Sequence, residues 1–425
     1  MSGTALEARV LEFAEALGVV RHHAAGMRMP GAENVALLAS AGRVLAEDVR
    51  ADRDQPPFDR ATRDGFAVRA TEWAAGTRLR VVGQVRAGEA WAGGEMAAGA
   101  AIEIMTGAGV PRGADAVVMI EHVKQGGHQV WAASGRSLAV GENIVPRGSE
   151  ARAGEVLLIA GTAMGAAEIA LAAACGRAQI AVGKRPLVAI VATGDELVEL
   201  DQTPEAHQIR NSNSYALAAM VEVAGGQARR MAIARDTQVD LRARIEDGRM
   251  SDLLLLSGGV SAGKYDLVED VLAEFGAEFL FTGVRMQPGK PLVFGRLPRS
   301  ESADQRGELA EEHEWTYFFG LPGNPISTQV TFHCFVEPLL RAMCGGGVVG
   351  PKFVQATLAE DVRGKTGLTR LLPAFLGHDL ERPEVRLVGW QGSGDLAANA
   401  RANCYAVLAD GRDLKAGDVI TVLLR

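Results

Sequence analysis

The spacing of apolar residues along this chain switches between helical and strand-like periods several times. The segments before residue 40 and around residues 162–175 have the helical period. Residues 4–17 place apolar side chains on one helical face and stop at Gly18, and 33–39 repeat that spacing. Residues 162–175 are rich in alanine and leucine, with Thr162 available as an N-cap. The pattern therefore predicts helices in these segments.

Between these helical segments, from about Asp52 to Gly148, short runs of valine and isoleucine alternate with glycine. Examples are Leu79–Val85, Ala116–Ile120 and Gln129–Ala132. Such runs predict a small, mostly β domain. Because helical segments flank it on both sides, we expect the two flanks to form one split subdomain that carries the β domain as an insertion.

From Arg185 onward, apolar strands alternate with helical stretches. Leu187–Ala192 and Leu253–Leu256 read as strands, whereas Tyr215–Val223 and Val239–Ile245 read as helices. This alternation predicts a parallel sheet with crossover helices, which binds ligands beyond the carboxyl ends of its strands. We expect five loops there, all rich in glycine, proline, carboxylate or lysine: 193–196, 235–236, 257–261, 287–291 and 321–325.

Of these five loops, the one that begins at Ser257 has the most groups that could bind a ligand, if it is followed as far as Asp266. Gly258 and Gly259 let backbone N–H groups approach an anion, Lys264 adds positive potential, and Asp266 adds a carboxylate. One interpretation is a phosphorylated ligand handled with a divalent cation, and the other is a plain strand-to-helix connection.

The last third of the chain ends in a second β region. Residues 299–314 form a polar run that we interpret as a mobile hairpin loop, and 328–342 have an apolar helical pattern. The glycines at 345–347 indicate a domain boundary. Short strands from Lys352 onward predict a β-barrel or sandwich.

Composition narrows the class of protein. With 425 residues and 48% apolar side chains, the chain should form two to four globular domains. A net charge of −8 argues against nucleic acid as a partner, and 156–182, the most membrane-like stretch, is too polar to span a bilayer. The four cysteines are scattered as in proteins of a reducing compartment, so we expect a cytoplasmic location and no structural zinc.

Eight motifs, in order, resemble those of the MoeA family of molybdopterin molybdenumtransferases, which includes the E domain of gephyrin. The resemblance runs from about residue 30 to the C-terminus, and its motifs lie at 58–67, 105–118, 141–144, 193–197, 209–214, 257–266, 288–291 and 320–325. It implies a homodimer of multidomain α/β plus β chains. The implied domains are a split helical subdomain (1–49 and 150–183), an inserted mostly-β domain (50–149), a three-layer α/β molybdopterin-binding domain (184–345) and a C-terminal β-barrel (346–425).

The resemblance also implies a reaction. In this family molybdate is inserted into the dithiolene of adenylylated molybdopterin with metal-dependent release of AMP, and a molybdopterin adenylyltransferase is the implied upstream partner. The site is expected between the α/β domain of one subunit and the inserted domain of the other, with Asp59 and Asp64 reaching across. From spacing alone, the same two aspartates fit ordinary turn chemistry.

Individual roles follow from motif matches. The catalytic set is Asp59, Asp64, Glu196, Asp236, Asp266 and Lys290, of which Glu196, Asp236 and Asp266 would hold Mg²⁺ or another divalent cation. Asp195 is next in line as a ligand, and loop capping is the alternative for Asp195 and Asp236. The implied molybdate pocket is Lys290, Pro291, Ser261, Ser327, Arg370 and Ser393. The other implied binding positions are Thr106, Thr193, Gly194, Asn211, Ser212, Asn213, Ser257, Gly258, Gly259, Gln287, Pro288, Gly289, Pro322, Gly323, Asn324 and Pro325.

The chain departs from the family pattern at several of these places. Gln287 stands where the family often has a second lysine, which removes one positive charge from the implied oxyanion pocket. The match around Arg370 is looser, so a surface arginine is the alternative there. In the inserted domain, Arg60, Arg63 and Phe66 stand where many members have Asn, Met and Tyr.

Two other functions compete with this interpretation. One is a gephyrin-like scaffold or interaction protein. The sequence shows no linker, fused partner domain or exposed aromatic groove that would favour this function. The other is a different nucleotide-handling hydrolase on the same α/β domain, against which the split N-terminal segments and the barrel argue.

Overall fold

A computed structural model of the chain describes residues 9–73, 76–133, 137–259, 267–299, 315–379, 382–409 and 411–425. The chain divides into two compact units. The first comprises residues 1–35, 42–46 and 181–425, and the second comprises 36–41 and 47–180.

The strands, numbered in chain order, are β1 (Val10–Leu11), β2 (Ala32–Ala36), β3 (Val49–Arg50), β4 (Arg60–Ala61), β5 (Gly65–Val68), β6 (Leu79–Val85), β7 (Ala100–Ile104), β8 (Ala116–Met119), β9 (Val123–Gly126), β10 (Gln129–Ala132), β11 (Ile144–Val145), β12 (Val156–Leu158), β13 (Gln179–Gly183), β14 (Leu187–Ala192), β15 (Leu197–Val198), β16 (Ile209–Arg210), β17 (Gln227–Arg230), β18 (Leu253–Ser257), β19 (Glu278–Phe281), β20 (Gly283–Val284), β21 (Met286–Gln287), β22 (Val293–Pro298), β23 (Trp315–Leu321), β24 (Phe353–Leu358), β25 (Thr369–Leu376), β26 (Glu384–Leu387), β27 (Cys404–Leu408) and β28 (Val419–Leu424). The helices are α1 (Phe13–Ala24), α2 (Ala166–Ala174), α3 (Ser212–Val223), α4 (Gln238–Gly248), α5 (Leu267–Glu274), α6 (Pro325–Thr331), α7 (Glu337–Met343) and α8 (Leu396–Arg401), with a π turn at Phe332–Val336 between α6 and α7.

The predicted N-terminal helices are displaced. The prediction of a helix at 4–17 is wrong at both ends, because Val10–Leu11 pairs as a parallel strand with Gly283–Val284 and α1 starts only at Phe13. Its start is set by Glu15, whose carboxylate accepts the backbone N–H of Glu12 at 3.1 Å, and the helix then continues through Gly18.

Two other helix predictions also fail in part. The segment predicted as a helix at 33–39 forms strand β2 and a single 3₁₀ turn, because its backbone pairs with β13. Helix α2 begins at Ala166 and not at Thr162, and its first turn is closed by the Glu168 carboxylate, which accepts the Gly165 N–H at 3.0 Å. Within the second unit part of each flank meets the other, because β3 pairs with β12, whereas residues 1–35, which include α1, belong to the first unit.

A six-stranded sheet dominates the second unit, in the order β8-β5-β7-β6-β10-β9. Strands β6 and β10 have the bounds that the sequence predicts. Phe66, Ile102, Ile104 and Val117 are buried on the two faces of this sheet. The inserted region is therefore mostly β, as expected.

The core of the first unit is a second six-stranded sheet, in the order β17-β14-β18-β23-β22-β19. Strands β17, β14, β18 and β23 are parallel, but β22 runs antiparallel to β23, so the sheet is mixed and not wholly parallel. Every residue of β18 is buried, which explains its unbroken apolar sequence. Helices α3 and α4 are the crossovers that connect the parallel strands.

The C-terminal strands close into a five-stranded β-barrel. Their order is β25-β26-β24-β28-β27, and the pairing of β25 with β27 completes the ring. Strand β21 adds to the outside of this ring by pairing with β25. Among the described residues, no helix has both the length and the apolar character needed to cross a bilayer.

Candidate functional site

Three neighbouring strands of the α/β sheet end at the same edge. Strands β14, β18 and β23 stop at Ala192, Ser257 and Leu321. Backbone bonds then join their loops, because Thr193 N–H donates to the Ser257 carbonyl at 3.0 Å and Gly258 N–H donates to the Leu321 carbonyl at 3.2 Å. We call this the carboxyl edge. The predicted loops at 193–196, 235–236 and 321–325 lie along it, as does the described part of the loop at 257–261, which is 257–259.

The fifth predicted loop, 287–291, reaches the same edge by a different route. It precedes β22, whose first residue, Val293, pairs antiparallel with Gly320 near the end of β23. The amino end of an antiparallel strand lies beside the carboxyl ends of its parallel neighbours. The predicted position is therefore right, although the parallel strand assumed for it is wrong.

Glycines at this edge allow the loops to approach one another. Gly258 has φ +96°, and a Cβ placed there would lie 2.5 Å from the carbonyl oxygen of Thr193. At Gly194, with φ +150°, a Cβ would lie 2.5 Å from a carboxylate oxygen of Glu196. Only glycine fits either position without displacing a neighbour. The Glu196 carboxylate consequently lies directly against the backbone of Gly194.

The carboxylates of this edge meet around Thr193. The buried Thr193 hydroxyl donates to Asp236 Oδ1 at 2.7 Å, and the Asp236 N–H points to Asp195 Oδ1 at 3.4 Å. Asp195, Glu196 and Asp236 are all exposed. Within the described residues, no group of three or more His, Cys, Asp or Glu side chains is arranged to hold a metal ion. One or two carboxylates nevertheless match the usual Mg²⁺ site, in which substrate phosphates and water supply the remaining ligands.

Two asparagines organise the start of α3. Asn211 is buried and accepts the Ser214 N–H at 3.2 Å as the helix N-cap, and Ser212 is the first helical residue. Asn213 Nδ2 donates to both Ser257 Oγ at 3.0 Å and the Gly323 carbonyl at 2.7 Å. Asn213 thus ties the loop after β18 to the loop after β23.

The loop after β23 is joined to the segment around Ser393. Asn324 Nδ2 donates to Ser393 Oγ at 2.9 Å, and Ile326 N–H donates to the Ser393 carbonyl at 3.0 Å. Pro325 begins α6, and Pro322 accepts the Thr328 hydroxyl at 2.6 Å. Ser327 is only 4% exposed, so a ligand of this residue would have to enter a closed position.

Two of the predicted binding residues, Gln287 and Arg370, meet where β21 pairs with β25. Gln287 is the register partner of Arg370, whose Nη1 donates to the Arg363 carbonyl at 2.9 Å and whose Nε is buried without a partner among the described residues. Lys365 Nζ donates to Gln287 Oε1 at 3.2 Å. An ammonium group therefore lies beside the position where the family's lysine is absent.

Lys290 lies on the segment that follows β21, three residues after Gln287. Lys290 is exposed and has no ion pair among the described residues, whereas Pro288 and Gly289 are buried and Pro291 is half-buried. A Cβ at Gly289 would lie 2.7 Å from the Thr331 methyl group. Lys365 was not predicted, because in sequence it is only one lysine in a polar turn, 78 residues from Gln287.

The remaining predicted residues belong to the second unit. Asp64 Oδ1 accepts both the backbone N–H and the hydroxyl of Thr106, each at 2.7 Å, and these bonds lower the pKa of Asp64 below its ordinary value. Asp59 Oδ1 accepts the Arg147 N–H at 2.7 Å. Both carboxylates therefore accept backbone N–H groups from segments distant in sequence and not from their own turn, and both remain exposed. Arg60 pairs with Glu150 at 2.9 Å, and Phe66 is buried.

Several parts of the prediction lie outside the described residues. These are the start of the helix predicted at 4–17, Ser261, Lys264, the metal-ligand candidate Asp266 and all but the first residue of the polar run 299–314. The described part of the glycine loop ends at Gly259.

Three family models match the chain in sequence. They are described as the "MoeA N-terminal region (domain I and II)" over residues 11–176, the "Probable molybdopterin binding domain" over 189–342 and the "MoeA C-terminal region (domain IV)" over 355–424. Together they account for both units and for all of the residues that form the carboxyl edge.

Curated relatives and solved structures agree with these models. Molybdopterin molybdenumtransferase from Staphylococcus aureus (strain COL) is 33% identical over 402 residues, covering 92% of this chain and 90% of the relative. The Staphylococcus epidermidis (strain ATCC 12228) protein of the same name is 32% identical over 401 residues, with the same coverage. A crystal structure of the molybdopterin biosynthesis MoeA protein from Pyrococcus horikoshii OT3 has a TM-score of 0.80 at 27% identity, covering 98% of this chain and 100% of that one.

Proposed function

The chain belongs to the MoeA family of molybdopterin molybdenumtransferases, enzymes of molybdenum cofactor biosynthesis, and from this premise we propose its detailed reaction. The substrates are molybdate and adenylylated molybdopterin. The enzyme inserts molybdenum into the dithiolene and releases AMP. The observation that carries the proposal is the carboxyl edge, where exposed carboxylates lie beside glycine-rich loops. A separate group of cationic side chains lies on the same unit, near the pairing of β21 with β25.

The nucleotide and phosphate part of the substrate lies on the loops after β14 and β18. Gly194, Gly258 and Gly259 all have positive φ, a backbone conformation that lets neighbouring N–H groups face a phosphate. Thr193 fixes one oxygen of Asp236 and so orients the carboxylate, while Asn213 holds the loops of Ser257 and Gly323 together. A fixed set of loops positions the pyrophosphate bond without reorganisation during the reaction.

Glu196 and Asp236, together with Asp266, are the residues proposed to hold Mg²⁺ or another divalent cation. The ion, when bound, would stabilise negative charge on the phosphate oxygens as the linkage to AMP breaks. The hydrogen bond from Thr193 to Asp236 Oδ1 leaves Oδ2 of that carboxylate available to the ion.

Molybdate is proposed to bind near the pairing of β21 and β25. Lys290 supplies an exposed ammonium group, Arg370 a guanidinium group and Lys365 a second ammonium group beside Gln287. Ser393 supplies a hydroxyl that is already oriented by Asn324. A tetrahedral dianion requires several such donors, and charge-assisted hydrogen bonds are the strong ones.

The protein is further proposed to act as a cytoplasmic homodimer that receives its substrate from a molybdopterin adenylyltransferase. In this arrangement Asp59 and Asp64 of one subunit complete the site of the other. Support comes from their exposure: each carboxylate accepts hydrogen bonds within its own unit through Oδ1 and is open to solvent.

The test is a comparison of oxyanions. The purified full chain is incubated with adenylylated molybdopterin and Mg²⁺, and AMP is quantified with molybdate, with tungstate and with sulfate. Release that depends on molybdate or tungstate supports the proposal, whereas equal release with sulfate would assign the chain to nucleotide hydrolysis without metal insertion.

A further inference from the structure

A cavity of about 340 Å³ opens in the first unit, away from the carboxyl edge. Its lining includes Met27, Arg28, Asp252, Arg299, Trp315 and Tyr317. The volume falls at the lower end of the range of small-molecule sites, and suits a bicyclic aromatic compound.

The position of the cavity follows from the strands. Asp252 immediately precedes β18, Trp315 is the first residue of β23, and Pro186, also in the lining, precedes β14. These are the amino ends of the same three parallel strands whose carboxyl ends carry the candidate site. β18 is five residues long, so the strand separates the two regions by roughly 15 Å.

The charges of the cavity favour an anion. Asp252 is fully engaged, because Oδ2 accepts the Leu187 N–H and Oδ1 accepts Arg299 Nη2, each at 2.7 Å. Arg299 still has a buried Nε without a partner among the described residues. Arg28 is exposed and has no ion pair in the described part of the chain. The lining therefore has surplus positive charge, and its carboxylate is committed to existing hydrogen bonds.

The walls favour an aromatic ring. Trp315 lies under the guanidinium of Arg296, with 4.2 Å between Cζ and the ring centroid, so that one face of the indole is covered. Tyr317 is fixed by its hydroxyl, which lies 3.1 Å from His23 Nδ1, and by stacking on Phe294 at 5.9 Å. The two held rings offer an apolar surface that costs little entropy to order, and the Met27 thioether adds a polarizable contact.

We propose that this cavity is a second small-molecule site, which takes a planar bicyclic aromatic acid with one anionic group. The ring would lie among Trp315, Tyr317 and Met27, and the acid would meet Arg28 and Arg299.

The probe for this site is 2-naphthoate, titrated calorimetrically into the full-length chain at low salt. A neutral analogue, 2-naphthamide, separates the contribution of the charge. We expect 2-naphthoate to bind at one site per chain with a Kd on the order of 100 µM. Substitution Arg28→Met should weaken 2-naphthoate about fivefold and leave 2-naphthamide unchanged, since a charge-assisted bond is lost. Substitution Trp315→Ala should weaken both.

The matched control is Arg21→Met, which removes another exposed arginine of the same unit that does not line the cavity. It should bind both compounds as the parent does. The proposal is overturned if the parent shows no saturable binding at millimolar 2-naphthoate, or if Arg28→Met weakens binding no more than Arg21→Met. Because Arg28 is exposed, its substitution tests the proposal even if Trp315→Ala does not fold. The test measures binding of two compounds and does not depend on the metal insertion reaction. Its failure can therefore be distinguished from a failure of the proposed function.

Discussion

The ammonium nitrogen of Lys365 lies 3.2 Å from the amide oxygen of Gln287, although 78 residues separate the two in sequence. Gln287 is also the register partner of Arg370, so the contact lies beside the proposed oxyanion pocket. The relationship indicates that Lys365 supplies positive charge at the place where the family often has a lysine.

Replacing Lys365 tests this compensation. We expect Lys365→Met to raise the molybdate concentration for half-maximal AMP release about five- to tenfold, equivalent to roughly 1–1.4 kcal/mol, because one cationic donor is lost. In a Gln287→Lys background the same substitution should have an effect of less than about twofold, since neighbouring groups are not additive. Lys124→Met, which removes an exposed lysine of the second unit, is the control. Equal effects of Lys365→Met in both backgrounds would contradict the compensation.

A substitution of Gly258 tests whether the loops after β14 and β18 must approach each other closely at the carboxyl edge. Gly258→Ala should destabilise the chain by roughly 2–4 kcal/mol, because positive φ disfavours alanine and the new Cβ would meet the Thr193 carbonyl. Gly417→Ala is a matched control: Gly417 has φ +94° against +96° at Gly258, but a Cβ there meets nothing within 4 Å. It should cost only about 1–2 kcal/mol. Urea unfolding measures both, and similar losses would exclude a steric role for the approach.

The proposed assembly can be tested by complementation between subunits. Asp64→Asn keeps an oxygen that can accept the Thr106 N–H while removing the charge, so this link between the two segments should survive. Chains carrying Asp64→Asn and chains carrying Asp236→Asn should each lose most activity. Mixed and reassociated in equal amounts, they should recover about a quarter of the parent rate, since a two-fold dimer then regains one intact site in half of the molecules. No recovery, or a monomer by analytical ultracentrifugation, would rule out a site shared between subunits.

Glu337 gives a prediction for pH. Burial would raise the pKa of Glu337, but His333 Nδ1 at 2.9 Å and Arg341 Nε at 2.8 Å oppose it with hydrogen bonds and charge, and the pKa falls to about 2. A carboxyl whose pKa is depressed by folding stabilises the protein above its ordinary value of 4.5 and loses that contribution as the pH falls toward 2. The contribution is roughly 3 kcal/mol at neutral pH.

Glu337→Gln should therefore lower the free energy of unfolding at pH 7, and the difference from the parent should shrink below pH 4.5. Urea titrations of both proteins across this range measure it. The control is Glu384→Gln, because that carboxylate is 53% exposed and lies 3.6 Å from Arg386. A difference that grows as the pH falls would reverse the sign and disprove this role for Glu337.

The parts of the fold that could be predicted from sequence are those whose structure is determined by the residues of the segment itself. Strands Leu79–Val85, Gln129–Ala132 and Leu187–Ala192 have the predicted bounds, because burial of one or both faces fixes their apolar pattern. Helix α1 was misplaced because its start depends on Val10–Leu11 pairing with a strand more than 270 residues away, which no local pattern contains. Tertiary pairing overrides helical spacing there.

The candidate site divides in the same way. The loops of Thr193, Ser257 and Gly323 were expected together because strand direction brings them to one edge. The Thr193–Asp236 bond, the dual role of Asn213 and the contact of Lys365 with Gln287 were not predictable, since each joins side chains whose spacing in sequence carries no period. Long-range side-chain contacts of this kind require the fold first.

The most direct test of the central claim is the single-turnover rate of AMP release from adenylylated molybdopterin by the Asp236→Asn chain, with saturating molybdate and Mg²⁺. Asp201→Asn, which alters an exposed aspartate on the same unit, is the control. The account predicts a loss of at least about a hundredfold for Asp236→Asn, the scale expected when a preorganised charge-stabilising group is removed. It predicts an unchanged rate for Asp201→Asn. A rate for Asp236→Asn within twofold of the parent would contradict the assignment of the carboxyl edge as the site of the reaction.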